Sequence, residues 1–551
     1  MSRADTYDVA IVGSGAAGLC AALTAAVAGA SVVVLEGSDR WGGATAVSAG
    51  QVWAPGNHHM REVGVADDPE EALAYVCDRT RGRDRSLATA FVYAAPRMVR
   101  FVEEHSPIRF TPTTLADTFT EAPGWRPRGR NIEVAPVSLG DLGDPADLFW
   151  PPPFFSPVFT NEEITQLHLV TGGSPPADLI EERTAAGRAT LGQGLVAGLL
   201  HACRSARVRL LNRHRVTALT TTGEPGSVTV TGVRVGGRRA FPARAVVLAC
   251  GGFEHDPSLR ENLLDGSYAH PVTPPVGRGD ALRLAAEAGA ALAHTGECWS
   301  WPVIQHPGAA WPDGTPRPEL VIAERMLPHV IWVNSAGRRF VNESSHNAAL
   351  AFAETDPNTG QPRNVPAWAI ADAQYRARYP FAGARPGQPL PPHAVQAATP
   401  AELAERAGID AATLASTLRR FNTFAAQGLD PDYGRGATVY DREGGDPAAP
   451  HPNLGTVVEP PLCAVPVLAG SVGTKGGPLT DSRARVLRWN GTPVPGLHAA
   501  GNAMAAVIGP GIVSPGATIG SALTWGWIAG TTAAESRSQP NRSGSDGGSI
   551  P

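Results

Sequence analysis

The stretch Tyr7–Glu36, YDVAIVGSGAAGLCAALTAAVAGASVVVLE, decides the fold. It opens on an apolar run, Tyr7 to Val12, and passes through Gly13-Ser14-Gly15-Ala16-Ala17-Gly18. Ala- and Leu-rich sequence then runs from Ala16 to Ala28, and a β-branched run, Ala30 to Leu35, delivers the chain to Glu36. Two short β-branched runs around a segment of buried-helix composition predict one strand–helix–strand unit. The G-x-G-x-x-G falls where the first strand would hand over to the helix. Its first glycine permits the tight turn, the second lets the backbone approach a pyrophosphate, and the third allows close helix packing, while the helix N-terminus offers N–H groups and a positive dipole to phosphates. Glu36 stands at the end of the second strand, where a carboxylate accepts hydrogen bonds from a ribose hydroxyl pair. An ordinary glycine turn leaves that terminal acid unexplained, so the unit reads as dinucleotide-binding.

Working outward, 551 residues with 43% hydrophobic and 18% charged side chains suffice for two or three domains and a large core. Gly 62 and Pro 50 make up about a fifth of the chain, without a G-X-Y period, which points to a loop-rich globular scaffold. A net charge of -5 with no basic block argues against nucleic-acid binding. Cys20, Cys77, Cys203, Cys250, Cys298 and Cys463 show no C-x-x-C spacing, so neither a disulfide framework nor a metal site is expected. No window of about 18 apolar residues lacks glycine punctuation, which predicts no membrane span. The first residues enter the glycine loop directly, and the expected setting is the cytoplasm. Lys475 is the single lysine; GC-rich coding accounts for the bias toward arginine without a functional cause.

Further along, Asp68 to Phe101 reads as helical and Pro107 to Pro157 as long ordered loops. A helix is predicted over Gly192 to Ala206. The runs Val208–Leu211, Arg215–Leu219 and Ser227–Arg234 alternate like strands of a small antiparallel sheet. Ala245–Leu248 leads into Ala249-Cys250-Gly251-Gly252-Phe253, another strand with a glycine turn. The middle region carries Trp299, Trp301, Trp311, Trp332 and Trp368, with helices expected over Pro400–Gly408 and Ala411–Gly428. The sequence beyond about Ser536 has a disordered composition.

Arg40-Trp41-Gly42-Gly43-Ala44-Thr45-Ala46-Val47-Ser48-Ala49-Gly50 resembles the second FAD-contact segment of the fumarate reductase and 3-ketosteroid dehydrogenase flavoproteins. Gly473–Pro478 (GTKGGP) and Pro495–Asn502 (PGLHAAGN) resemble the closing segments of the 3-ketosteroid Δ1-dehydrogenase-like branch. Pro515–Gly520 (PGATIG) is similar to that branch's loop at the flavin ring. In order, these matches span residues 7 to about 530. The resemblance implies an α/β fold: a Rossmann-type, glutathione-reductase-like FAD-binding domain over 1–285 and 446–535, an inserted α+β substrate or cap domain over 286–445, and a tail over 536–551. It assigns cofactor contact to Gly13, Gly15, Ala16, Ala17, Gly18 and Glu36, then to Gly42, Gly43, Ala44, Thr45, Ser48, Ala49 and Gly50. Val216, Ala249, Gly251, Gly501, Asn502 and Ile519 complete the implied contacts. Relatives with covalent flavin carry a histidine at the position of Ala44, so the FAD here is expected to be non-covalent. No second strand-linked G-x-G-x-x-G exists for a nicotinamide, which leaves an external electron acceptor, a quinone, a dye or oxygen.

In the resembling steroid dehydrogenases a tyrosine hydroxyl and a backbone amide polarise the ketone, a second tyrosine takes the neighbouring proton with help from a third, and hydride passes from the β-carbon to flavin N5. Gly516 keeps the amide position, but the three tyrosine positions read Ile512, Asn347 and Phe119. His346, beside Asn347 in the segment that follows Asn342-Glu343-Ser344, is the nearest titratable replacement; the alternative is a hydrogen-bonded or surface histidine. His306 is a second such residue. Ser514 and Asn347 can donate hydrogen bonds to a carbonyl. Arg325 either binds a carboxylate or pairs with Glu324. No arginine lies between Asn342 and Pro362 or between Gly501 and Gly530, which argues against the dicarboxylate reduction of the fumarate-type enzymes. The tryptophans either line an apolar cleft or pack the core. The expected function is an FAD-dependent dehydrogenase that desaturates the bond next to the ketone of a small apolar cyclic substrate, steroid-like or smaller. An enone reductase of the same fold and a flavin-binding protein without turnover are the alternatives.

Overall fold

The computed structural model describes residues 6–153, 156–224, 226–237, 239–264 and 268–535; the stretch 536–551, expected to be disordered, lies outside the described residues. Strand β1 (Tyr7–Val12) leads through the glycine loop into helix α1 (Ala16–Val27) and back into β2 (Val32–Leu35), and the two strands pair in parallel with Val12 opposite Leu35. Most residues of both strands are buried, as a parallel sheet covered on both faces requires. Helix α2 (Leu191–Ser205) returns the chain to β3 (Arg209–Leu211), which pairs in parallel with β2. The expectation of an antiparallel strand at 208–211 therefore fails: the run is too short to show its partner, and β2 has an open edge beside it. The small antiparallel layer begins instead with β4 (Val216–Thr222), β5 (Thr229–Val235) and β6 (Arg239–Leu248). The far end of β6 leaves that layer and pairs in parallel with β1, Val12 opposite Leu248.

A second, largely antiparallel sheet follows. It contains β7 (Cys298–Ile304), β8 (Val330–Asn334) and β9 (Ala367–Ala371), with the long β10 (Leu462–Thr474) between β7 and β9. The expected cut at residue 446 does not follow this pairing. β10 carries no local mark of its partner, and its 13 residues belong to the second sheet until they reach the Gly473 segment. The chain then returns through β11 (Arg485–Leu487) and β12 (Pro493–Ala499), giving a first-sheet order β11-β12-β6-β1-β2-β3 with Leu248 opposite Ala499.

The register has a functional consequence. Because Val12, Leu35, Leu248 and Ala499 lie abreast, the glycine loop, Glu36, Ala249–Gly251 and Gly501 emerge along one carboxyl edge of the sheet, where open α/β sheets bind ligands. The expected single helical stretch from Asp68 to Phe101 is two helices, Pro69–Arg79 and Arg85–His105. Arg81 and Gly82 adopt positive φ between them, and the Asp68 and Asp84 carboxylates accept N–H groups at the two N-termini. Among the described residues no helix is long and apolar enough to cross a membrane.

The terminal helix α3 (Ala517–Glu535) packs along α1 at backbone distance. A Cβ on Gly526 would collide with the Ala17 carbonyl and one on Gly530 with that of Ala21, so four-residue spacing on both helices sets one close seam. Gly526→Ala is expected to cost about 1–3 kcal/mol through overpacking. It should also loosen the cofactor, because Ala17 lies in the glycine loop's first helical turn; denaturant midpoints and retained flavin absorbance measure both.

Candidate active site

A cavity of about 750 Å³ opens at the carboxyl edge of the first sheet and runs to β7 and the segments around His346 and Tyr440. At its sheet end the glycine loop is rigidly framed. Gly18 is required by the protein itself, since a side chain there would collide with the Gly13 carbonyl, whereas a Cβ on Gly15 would meet Thr45 Oγ1 at 3.5 Å and the Gly42 carbonyl at 3.8 Å, both ordinary van der Waals contacts. Gly15 supplies no side chain to cap α1, and Thr45 Oγ1 takes only the Ala16 N–H, at 3.0 Å, so the rest of the first turn is left to an anion. Glu36 is oriented by the Ser14 N–H (3.0 Å) and hydroxyl (2.6 Å) on Oε2 and by the Ser38 N–H on Oε1 (2.8 Å). Burial pushes its carboxyl up, opposed by those hydrogen bonds. Ser14 Oγ also accepts the Gly42 N–H at 3.0 Å, which ties the first loop to the second cofactor segment. An open helix N-terminus, a glycine facing the cavity and a fixed carboxylate at the end of β2 fit the pyrophosphate and ribose of FAD.

At the other end the loop Pro510–Gly516 forms the wall, held by groups from six separate segments. Lys475 Nζ donates to the Pro510 and Gly511 carbonyls at 2.6 and 2.8 Å and lies 4.3 Å above the Trp299 ring. The Asn347 amide exchanges two hydrogen bonds with the Ile512 backbone, at 2.8 and 3.1 Å. Tyr75 donates to the Val513 carbonyl, Ser514 to Asp117, and Asn131 to the Pro515 carbonyl. The Gly516 carbonyl accepts the Trp53 N–H at 3.0 Å, and its own N–H, at φ +77°, meets no acceptor among the described residues. Beneath the loop, Asp117 is shared by the Trp53 indole and the buried Arg130, which also grips Asp67. Burial pushes the Lys475 ammonium down to about 7, with Glu297 opposing.

Facing that loop, His346 Nδ1 lies 2.8 Å from the Tyr440 hydroxyl, both side chains buried on the cavity wall. Trp301 meets His346 edge to face at 4.9 Å. Behind them Arg325 is 1% exposed, with its guanidinium 5.3 Å from the Trp301 ring; it donates to the Glu343 and Ser345 carbonyls at 2.7 and 2.9 Å and approaches the Tyr440 hydroxyl at 3.4 Å. Among the described residues no carboxylate pairs with Arg325; Glu324, the neighbour offered as its partner, is held elsewhere, its carboxyl pushed up to about 8 by burial. Burial and the Arg325 charge push His346 down to about 3, so the imidazole is neutral. Burial raises the Tyr440 phenol, and Arg325 pulls it back. Glu343 of the Asn-Glu-Ser segment anchors this corner: against the upward push of burial, Arg339 and Arg435 hold its carboxyl below the ordinary range. Tyr440 is placed by the short helix Val439–Glu443, whose Asp441 accepts from Asn342 at 3.0 Å.

The residues singled out in the sequence thus fall into distinct places. Of the residues expected to contact the cofactor, all but Gly18 line the cavity: Gly13, Gly15, Ala16, Ala17 and Glu36, the Gly42–Gly50 contacts, Val216, Ala249, Gly251, Gly501, Asn502 and Ile519; so do His346, Ser514 and Gly516, but not Asn347 or Arg325. Gly18 packs the turn, and Asn347 clamps the loop. His306 pairs with Glu319 at 3.0 Å and lies off the wall, as does Phe119. Of the five middle-region tryptophans only Trp301 reaches the cavity, while Trp299, Trp311 and Trp332 are core. Sequence reasoning missed Tyr440 and Glu254, whose buried Oε2 on the cavity wall has no hydrogen-bond partner. Tyr440's one sequence signal is scarcity, being one of eight tyrosines. Among the described residues the one cluster with metal-ligating composition, His58, His59 and Glu103, contributes nothing to the cavity.

The model of the FAD binding domain family matches residues 8–519. The chain is 39% identical over 539 residues to a 4-oxocyclohexanecarboxylate 2-dehydrogenase of Sinomonas cyclohexanicum, covering 96% of this chain and 93% of that protein. It is 36% identical to a 3-oxosteroid 1-dehydrogenase of Mycobacterium tuberculosis, covering 95% and 97%. The solved 3-ketosteroid delta1-dehydrogenase from Sterolibacterium denitrificans, in complex with 1,4-androstadiene-3,17-dione, superposes with a TM-score of 0.88 at 33% identity, over 96% of this chain and all of that one.

Two outcomes follow from the geometry. Gly15→Val should fold with a nearly unchanged melting temperature yet lose at least about tenfold in FAD affinity, since its new atoms meet ligand space before protein. Lys475→Met tests the loop clamp. Between pH 7 and about 10 the unfolded chain holds the lysine proton and the folded one does not, so wild-type stability rises with pH relative to the variant. Denaturant midpoints at both ends of that window check the sign.

Proposed function

As this chain belongs to the FAD binding domain family and is an FAD-dependent dehydrogenase acting on CH–CH groups, we propose that it desaturates the bond next to the ketone of an uncharged, apolar ring, of cyclohexanone size or fused as in a steroid. One observation carries the choice of substrate. Around His346 and Tyr440 the wall is Trp301, Leu320, Ile322, Met326 and Ile512, and the charged side chain one helical turn from Tyr440 is the acid Glu443. Such a wall favours an apolar ring over one bearing a carboxylate.

When bound, the FAD supplies the hydride acceptor. The chain's own contribution is position and electrostatics. The Gly516 N–H is the donor that polarises the ketone, in a place where low dielectric strengthens a preorganised hydrogen bond. Ser514 and Asn347, first read as ketone donors, hold the loop: the hydroxyl is engaged with Asp117 and the amide with Ile512. Ala44 presents a methyl group to the cavity, consistent with non-covalent FAD, and an external quinone, dye or oxygen removes the electrons.

Anaerobic mixing of the yellow holoenzyme with the methyl ester of 4-oxocyclohexanecarboxylate or with 4-androstene-3,17-dione should bleach the flavin and yield the desaturated ketone. The free acid should react at least about tenfold less efficiently than its ester, the cost expected for a carboxylate desolvated against apolar side chains, with Arg325 behind the wall and engaged by the Glu343 and Ser345 carbonyls. Bleaching by the acid in preference to the ester would overturn the uncharged-ring assignment, and flavin reoxidation by an enone without ketone desaturation would reverse the direction.

A further inference from the structure

Resting on the ring-ketone reading, we propose that Tyr440 is the base that removes the proton from the carbon next to the ketone, with Arg325 and His346 holding its oxygen as a phenolate. None of the three positions that the resemblance assigned to tyrosines offers a base: Ile512 and Phe119 have no titratable group, and the Asn347 amide, which is not basic, is engaged on the Ile512 backbone. Tyr440 brings a phenol back to the cavity from a different segment, 94 residues beyond His346.

The surroundings of that oxygen are those of an anion site. Arg325 is a buried guanidinium with no carboxylate partner among the described residues and an Nε that meets no acceptor. An uncompensated buried charge costs several kcal/mol, and an anion 3.4 Å away offsets that cost. The nearest ionisable acid is the Tyr440 hydroxyl. On its other side His346, neutral because burial and Arg325 oppose its protonation, places Nδ1 at 2.8 Å, and in the Nδ1–H tautomer it donates to the phenolate. Two donors on one phenolate oxygen form a preorganised hole of the kind that stabilises oxyanions. The same environment argues against His346 as the base, since an imidazole pushed down to about 3 is a feeble proton acceptor. Burial, the largest influence, and the charges of Asp441 and Glu443 oppose ionisation and hold the free phenol above its ordinary value, with Arg325 pulling the other way. Both carboxylates are engaged, Asp441 by Asn342 and the Gly436 N–H and Glu443 by the Ala116 N–H, leaving Arg325 as the closest charge.

In the step, the C–H bond at the α-carbon breaks and its proton goes to the Tyr440 oxygen, while its electron pair becomes the π-bond. Hydride leaves the β-carbon with its own pair, so the ketone is oxidised by two electrons and the FAD reduced by two. The proton then passes from Tyr440 to solvent. Tyr440 is thus a catalytic residue, and Arg325 and His346 are positioning residues.

Proton removal can be measured apart from hydride transfer. With the holoenzyme's flavin reduced anaerobically, cyclohexanone in D₂O should exchange its α-hydrogens, followed by mass spectrometry. Tyr440→Phe is expected to slow exchange about 100-fold or more with an unchanged flavin spectrum. Arg325→Gln should move the rise of exchange with pH upward by about one unit or more, and Arg325→Lys should restore part of that shift. A Tyr440→Phe enzyme that exchanges at the wild-type rate overturns the assignment. Should that variant not fold, ultraviolet titration of tyrosinate decides: one tyrosine of the wild type should titrate later in Arg325→Gln, and an unchanged titration overturns it. Exchange without any desaturation by the wild type keeps Tyr440 as base and removes the desaturase reading. Desaturation that survives Tyr440→Phe intact removes the base assignment alone.

Discussion

The reacting end of this protein depends on how the loop Pro510–Gly516 is held, because it has no regular hydrogen-bonding of its own. A buried loop must satisfy its backbone polar groups through other parts of the chain. Here Lys475, Asn347, Tyr75, Asn131 and the Trp53 N–H each take one or two of those groups, and Ser514 anchors to Asp117. The result is a wall held at both ends, whose Gly516 N–H meets no acceptor among the described residues and is left for a ligand. That economy explains why the single lysine of the chain is buried: arginine's planar fork is a poor match for two adjacent carbonyls beneath an indole, whereas a compact ammonium serves both.

The two sheets divide the work by their geometry. The parallel sheet aligns four strand ends in register, so that cofactor contacts from residues 13, 36, 249 and 501 meet along one edge despite their separation in sequence. The antiparallel sheet and the Asn-Glu-Ser corner, braced by Glu343 between two arginines, carry Trp301, His346 and Tyr440 to the far side of the same cavity. β10 belongs to the second sheet at its start and enters the cofactor segments at its end, joining the two. Its central place between strands from residues 298–304 and 367–371 is invisible in an apolar run that would suit either sheet.

What the sequence by itself determined is local. The alternation of apolar runs and the three glycines specified β1, α1 and β2, because those features recur within a few residues and answer to backbone sterics and the reach of a helix N-terminus, while FAD was implied by the resemblance of the later cofactor segments. The break between the helices at 69–79 and 85–105 was also encoded there, in Gly82 and the capping Asp84, although the helical periodicity on either side masked it. Tertiary structure alone decided the rest. Arg325, His346 and Tyr440 lie in three separate segments, the last two 94 residues apart, and nothing in the spacing of His346 or Tyr440 announces the other. Whether Asn347 served as a ketone donor or a clamp likewise rested on which backbone it would meet, and whether Arg325 had a carboxylate partner rested on where Glu324 turned. A phenol, an imidazole and an unpaired guanidinium become one unit only when burial removes water from all three together, and burial is a property of the folded chain.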